Sequence, residues 1–205
     1  MKHNLIGIAG PARSGKDTLG HMIAAALPAP SIFRKFADPL KKIVADVFDM
    51  DFDQVEGHLK DAPDPRYIRQ DGVALTPRHA MQTLGTEWGR HCYPDVWIDY
   101  LLRKAAEDSN EGAFSIVTDV RFPNELEALV SRGMPVIRVT RPGVSITESK
   151  HSSENALSDI NPAVYFAHVE NAGTLAELEA QAKGIAQRIT RLMVEGMHDA
   201  MMRIR

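Results

Sequence analysis

Short apolar runs alternate with longer stretches of helical spacing along the chain, and this alternation predicts most of its elements. Leu5 to Ala9 reads as a buried parallel strand, Gly10 to Gly15 as a turn, and Lys16 to Leu27 as a helix ended by Pro28 and Pro30. Ile32 to Phe36 predicts a second strand, and Asp38-Pro39 opens a helix through Val47 with Asp38 as its cap. Residues 49–75 carry Pro63, Pro65 and Gly72 among many charges and read as an irregular excursion from the core. Thr76-Pro77 caps a helix to about His91, and another covers Asp95 to Ala106. Phe114 to Thr118 is a strand, Asn124 to Ser131 a helix, and Pro135 to Thr140 a strand. The polar stretch 141–161 suits a loop or lid, Val164 to Val169 a last strand, and Leu175 to about Met193 a long helix.

Short apolar strands separated by helices predict an α/β fold with three α/β/α layers and a parallel sheet covered on both faces. The β–α connections then bring 10–17, 119–125 and 141–161 to the carboxyl edge of the sheet, where such folds bind ligands. One domain accommodates all 205 residues, with an insertion at about 49–95 and a lid at about 141–161.

Composition narrows the partners. A net charge of -3 gives no basis for wrapping nucleic acid. No apolar run approaches the ~20 residues needed to span a membrane, and none resembles a signal peptide. The single cysteine, Cys92, excludes an intrachain disulfide and fits a reducing, cytoplasmic setting. It reads as a packed small residue, and the scattered methionines as core filling. The histidines form no metal pattern.

The strongest chemical signal is Gly10-Pro-Ala-Arg-Ser-Gly-Lys-Asp-Thr18, placed after a strand and opening a helix. Glycines let backbone N–H groups curl around phosphate oxygens, the helix start favours anions, and Lys16 reaches the terminal phosphates. Gly10, Ala12, Arg13, Ser14, Gly15, Lys16 and Thr18 therefore form a nucleoside triphosphate cradle. Asp17 stands where Ser or Thr ordinarily meets Mg2+. It could ligate the ion directly or through water, or orient the acceptor, or merely serve the first helical turn.

A second signal is Thr118-Asp-Val-Arg-Phe-Pro-Asn-Glu125. A carboxylate at a strand end, Asp119, can hold Mg2+ or its waters, and Arg121 can meet a phosphate. Glu125 suits a helix start whatever else it does. Among the remaining arginines, Arg66 and Arg69 lie in the excursion, Arg78 and Arg90 flank 80–89, and Arg138 and Arg141 bracket a strand end. Each is either a solvated surface group or part of the positive surround that phosphoryl transfer needs. Gln82, Thr83 and Thr86 could bind a base or ribose, or face water.

With these motifs in place, the chain resembles the deoxynucleoside monophosphate kinases of tailed bacteriophages and prophages. The resemblance rests on GPARSGKDT at 10–18, FADPLK at 36–41, TPRHAMQTLGTEWGR at 76–90, VTDVRFPNE at 117–125, VIRVTRPG at 136–143 and HSSE at 151–154. It implies a P-loop kinase fold, ATP and Mg2+ as cofactors, and a deoxynucleoside monophosphate as acceptor. It implies catalytic roles for Lys16, Asp17, Asp119, Arg121, Arg138 and Arg141, with Asp17 and Asp119 near the metal. Asp38, Arg66, Arg69, Gln82, Thr86 and Arg90 would contact the acceptor, and Asn171 would lie near the adenine of ATP. A homodimer is the assembly it suggests. The residues alone leave other classes open: a kinase of a dephospho-coenzyme-A-like or phosphomevalonate-like acceptor, or a nucleotide-binding protein that transfers nothing.

Overall fold

The computed structural model describes residues 4–143, 156–157 and 159–202, the last seven by backbone alone. Five parallel strands form the central sheet in the order β2-β5-β1-β6-β7. They are β1 (Leu5–Ala9), β2 (Ser31–Arg34), β5 (Phe114–Val120), β6 (Val136–Thr140) and β7 (Ala167–Glu170). Every residue of β1 is buried, as a central parallel strand requires.

Helices α1 (Lys16–Ala26) and α7 (Leu175–Met202) cover one face. Their Leu19, Ile23, Leu178, Ala182, Ile185 and Ile189 pack with Ile6, Ile8, Ile116, Ile137 and Val139 of the sheet. On the other face α6 (Pro123–Val130) comes so close to β1 that a side chain on Gly7 would press on Leu129 at 2.9 Å. The carboxyl side of Asp108, near the end of α5 (Val96–Asn110), accepts from Ser115 Oγ of β5 at 2.6 Å and from Arg34 of β2.

The chain divides into two compact units, Met1–Lys35 with Leu102–Arg205, and Phe36–Leu101. The second unit contains α2 (Asp38–Val47), α3 (Phe52–Val55), a 3-10 turn (His58–Asp61), an antiparallel hairpin β3 (Asp64–Ile68) and β4 (Ala74–Leu75), and α4 (Pro77–Gln82). Its small core holds Val44, Met50, Val55, Leu75 and Ala80. The excursion 49–75 is thus structured, although its periodicity was too short to reveal a hairpin.

Several boundaries differ from expectation for local reasons. Ala37, not Asp38, precedes α2 as its cap, and Asp38 opens the helix 3.8 Å from Lys41. The helix starting at Thr76 does continue to about His91, but Thr83–Arg90 adopts π-helical geometry. There the Gly85 carbonyl accepts from the Trp97 indole at 2.9 Å, and Gly89 leaves room for the same ring. β5 runs on to Val120, so Asp119 lies inside the strand rather than after it. Val164 belongs to a 3-10 turn (Pro162–Val164) before β7, and α7 extends past Met193. Cys92 is exposed, not packed. Residues 144–155 and 158, which include the HSSE segment and most of the expected lid, lie outside the described residues. No helix among the described residues is long and apolar enough to cross a membrane.

Candidate active site

The loop Gly10 to Gly15 leaves the carboxyl end of β1 and must turn sharply to start α1. It does so with three positive-φ residues: Gly10 at 154°, Arg13 at 61° and Gly15 at 96°. Gly10 also lies against the Val139 carbonyl, where a Cβ would have no room. Arg13, held in the left-handed region without being glycine, stores about 1–2 kcal/mol of backbone strain. Such strain concentrates where a loop is shaped for a ligand.

Lys16 is 8% exposed and its ammonium donates to the Pro11 carbonyl at 2.5 Å. Its Nζ is therefore curled over the loop that would receive the phosphates. The Ser14 carbonyl accepts from the Asn171 side-chain amide at 2.9 Å, while the Asn171 backbone N–H donates to Thr140 at 2.8 Å. Asn171 thus braces the loop from the end of β7. Ser14 Oγ is buried and has no hydrogen-bond partner among the described residues.

Asp17, exposed in the first turn of α1, accepts a hydrogen bond from Thr118 Oγ1 at 2.5 Å. Thr118 was visible in the sequence only as the start of a motif. Its hydroxyl is positioned by strand pairing that periodicity cannot reveal. Asp119 is half-buried, and Arg121 is exposed immediately after β5. The Arg121 and Phe122 N–H groups both donate to the buried Glu125 carboxylate, at 2.8 and 3.0 Å. Glu125 therefore shapes the turn that presents Arg121.

Arg138 lies within β6 and donates to the Leu157 carbonyl at 2.8 Å and the Tyr165 hydroxyl at 3.3 Å. It holds the chain where the polar 141–161 stretch returns to the core. Arg141 is exposed one residue beyond β6. The structure thus brings Lys16, Asp17, Asp119, Arg121, Arg141 and Asn171 to one edge, the carboxyl ends of parallel strands. An apolar groove of about 790 Å³, lined by Leu5, Met134, Tyr165 and Leu192 among others, lies at the opposite edge.

The Phe36–Leu101 unit holds the remaining candidates. Arg66 is committed to Asp64, with Nη2 at 2.8 Å and Nε at 3.0 Å. This guanidinium outweighs the burial of Asp64 and keeps its carboxyl well below the usual range. Arg69 pairs with Asp71 at 2.5 Å on the same hairpin. Gln82 ends α4, exposed Thr86 lies in the π-helical stretch, and half-buried Arg90 closes it. Asp38 opens α2.

A parallel sheet with a strained Gly-rich loop, a lysine curled over it and a helix start beneath it form a P-loop, the element that binds the phosphates of a nucleoside triphosphate. A family model described as deoxynucleotide monophosphate kinase matches residues 66–182. The chain belongs to the deoxynucleotide monophosphate kinase family. It is 30% identical over 173 residues to a protein of Acanthamoeba polyphaga mimivirus provisionally named as such a kinase, covering 76% of this chain and 83% of that one. It is 32% identical over 110 residues to the deoxynucleoside-5'-monophosphate kinase of Escherichia phage T5, spanning 49% of this chain and 42% of the phage protein. Among solved structures, dephospho-CoA kinase from Campylobacter jejuni aligns with a TM-score of 0.47 and 16% identity, over 92% of this chain and 98% of that one.

Proposed function

We propose that the protein transfers the γ-phosphoryl group of ATP to a deoxynucleoside monophosphate, giving ADP and a deoxynucleoside diphosphate. The observation that carries this reading is the reach of the family match. Residues 66–182 include Arg66 to Arg90 of the insertion together with β5, β6 and Asn171 of the core. Acceptor-side candidates Arg66 to Arg90 and the phosphate-side candidates Asp119, Arg121, Arg138 and Arg141 thus fall in one matched stretch, with the Gly10–Thr18 loop and Asp38 preceding it.

In this reading Gly10, Ala12, Arg13, Ser14, Gly15 and Thr18 cradle the ATP phosphates through backbone and side-chain donors. Lys16 exchanges its Pro11 contact for the phosphates. Arg121, Arg138 and Arg141 add positive charge, Arg138 mainly by holding the return of the 141–161 stretch. Asp38, Gln82, Thr86 and Arg90 contact the acceptor, while Arg66 and Arg69 chiefly stiffen the hairpin that carries them. Asn171 positions the loop beside the nucleotide.

The donor set suits Mg2+. That ion is ordinarily held by one or two carboxylates plus substrate phosphates, not by an all-protein cage. The described residues contain no cluster of three metal-ligating side chains, but Asp17 offers a carboxylate whose Oδ2 has no partner among them. Asp17 and Asp119 would hold the ion, which would neutralise charge on the β- and γ-phosphates.

A coupled ADP-release assay across the four deoxynucleoside monophosphates and their ribonucleotide counterparts tests the reading. Acceptor-dependent turnover with at least one deoxynucleotide is expected. Turnover with non-nucleotide acceptors alone would overturn it.

A further inference from the structure

P-loop enzymes of the usual pattern take a hydroxyl from the loop residue after the lysine and a carboxylate from a neighbouring strand, both serving one Mg2+. In this chain the loop position is Asp17, and the hydroxyl that meets it belongs to Thr118 of β5. The loop carries a carboxylate where the hydroxyl is usual and β5 supplies the hydroxyl, with Asp119 next to it on the same strand. We propose that Asp17 and Thr118 form an exchanged carboxylate–hydroxyl pair. Asp17 supplies the carboxylate directed at the metal–ATP complex, and Thr118 is the positioning residue that aims it. This rests on reading the site as an ATP phosphotransferase.

Three features of the fold favour the pair over a simple helix-start aspartate. A carboxylate at the second helical position favours the helix start through its charge alone and needs no side-chain partner. Asp17 instead accepts from a strand residue 101 positions away, at 2.5 Å. Thr118 is 3% exposed, and α1 approaches it across Gly20, where an added Cβ would lie 2.9 Å from the Thr118 methyl. A larger residue at 20 would lift the helix and part the two groups. Finally, the pairing of β1 with β5 steps from Gly7–Val117 to Ala9–Val120, so Thr118 and Asp119 together oppose one residue. A bulge of this kind re-aims side chains beside active sites.

The exchange keeps the pair's formal charge at one negative unit and keeps one proton donor within it. Restoring the usual order should therefore restore the site. The test titrates Mn2+ into the protein with a non-hydrolysable ATP analogue, following free Mn2+ by electron paramagnetic resonance, with no acceptor present. Asp17→Ser leaves two hydroxyls and should weaken Mn2+ binding about 10–100-fold. Thr118→Asp sets two carboxylates against each other and should weaken binding of the analogue without metal. The double variant Asp17→Ser/Thr118→Asp should return Mn2+ affinity to within about threefold of the parent, a difference under 1 kcal/mol.

A double variant that is folded by circular dichroism yet as weak as Asp17→Ser overturns the proposal. So does a greater loss with Asp119→Asn than with Asp17→Ser, which would make Asp119, not Asp17, the principal metal carboxylate. If the double variant does not fold, Thr118→Val and Thr118→Ser decide. Valine keeps the methyl and should weaken Mn2+ binding roughly tenfold, serine should restore it, and an unaltered valine variant overturns the proposal. Because no acceptor is used, a failed acceptor screen would sink the deoxynucleotide reading and leave this result standing. Failure of the parent protein to bind the ATP analogue would sink both.

Discussion

The side-chain amide of Asn171, at the end of β7, holds the Ser14 carbonyl 157 positions earlier in the chain at 2.9 Å. Its own backbone is tied to Thr140 of β6. The loop that cradles phosphate is therefore braced from outside. Asn171→Ala should raise KM for ATP up to about tenfold, the worth of one hydrogen bond, with a smaller effect on KM for the acceptor. Asn171→Asp should be worse, since it faces a carbonyl with an acceptor. Steady-state kinetics with ATP and acceptor varied in turn checks this, and an aspartate variant with parental KM contradicts it.

Gly15 answers to two constraints at once. It sits at φ 96°, and a Cβ there would collide with the Asn171 amide nitrogen. Gly15→Ala should weaken binding of a fluorescent ATP analogue at least about tenfold, through backbone strain and displacement of Asn171. Adding Asn171→Ala relieves only the collision, so the double variant should recover part of the loss. Full recovery would show that backbone conformation at 15 is unimportant.

Arg34 and Asp108 tie β2 to α5. Arg34 donates to both carboxylate oxygens, and Asp108 is 2% exposed. Burial alone would raise the Asp108 carboxyl, but the hydrogen bonds from Arg34 and Ser115 hold it below the usual range. A depressed folded pKa contributes stability above the unfolded value, near ~3.9, and that stability is lost as pH falls through the folded value. Arg34→Leu strands a buried carboxylate and should cost about 3 kcal/mol at neutral pH. Urea denaturation from neutral pH to below pH ~4 should show the gap closing as Asp108 protonates. A gap independent of pH would mean that the lost stability came from packing.

The π-helical stretch Thr83–Arg90 packs against Trp97 at Gly85 and Gly89. The indole N–H donates to the Gly85 carbonyl at 2.9 Å. Trp97→Phe removes this donor and should cost about 1–3 kcal/mol if the carbonyl stays buried. Amide exchange across 83–90 should quicken, and acceptor KM should rise because Thr86 and Arg90 lie on this stretch. Unchanged exchange would show that this hydrogen bond does not hold the π-helical stretch.

The strands and the loop were legible because parallel strands are short apolar runs and the Gly-Lys spacing is specific. Lys16 could be placed at the carboxyl edge from element order alone, whereas Asn171 came only from the family resemblance. The partners of those residues could not be read. That Thr118 reaches Asp17, or that Asn171 braces Ser14, depends on sheet order and a strand bulge, which are three-dimensional facts. The insertion was the least legible part. Its hairpin is short and its charges pair with one another, so Arg66 and Arg69 looked like ligand groups while their partners Asp64 and Asp71 went unnoticed. Asp38 was expected as a cap because Asp-Pro often starts helices, yet the helix begins on it.

In the proposed reaction the γ-phosphoryl group moves from ATP to a deoxynucleoside monophosphate on this chain. The most direct measurement incubates the protein with Mg2+, γ-labelled ATP and each deoxynucleoside monophosphate, then separates the products by chromatography. Label should appear in a deoxynucleoside diphosphate, in step with ADP, and Lys16→Ala should reduce it roughly a hundredfold or more. Label released only as inorganic phosphate, or carried by no deoxynucleotide, would contradict the account.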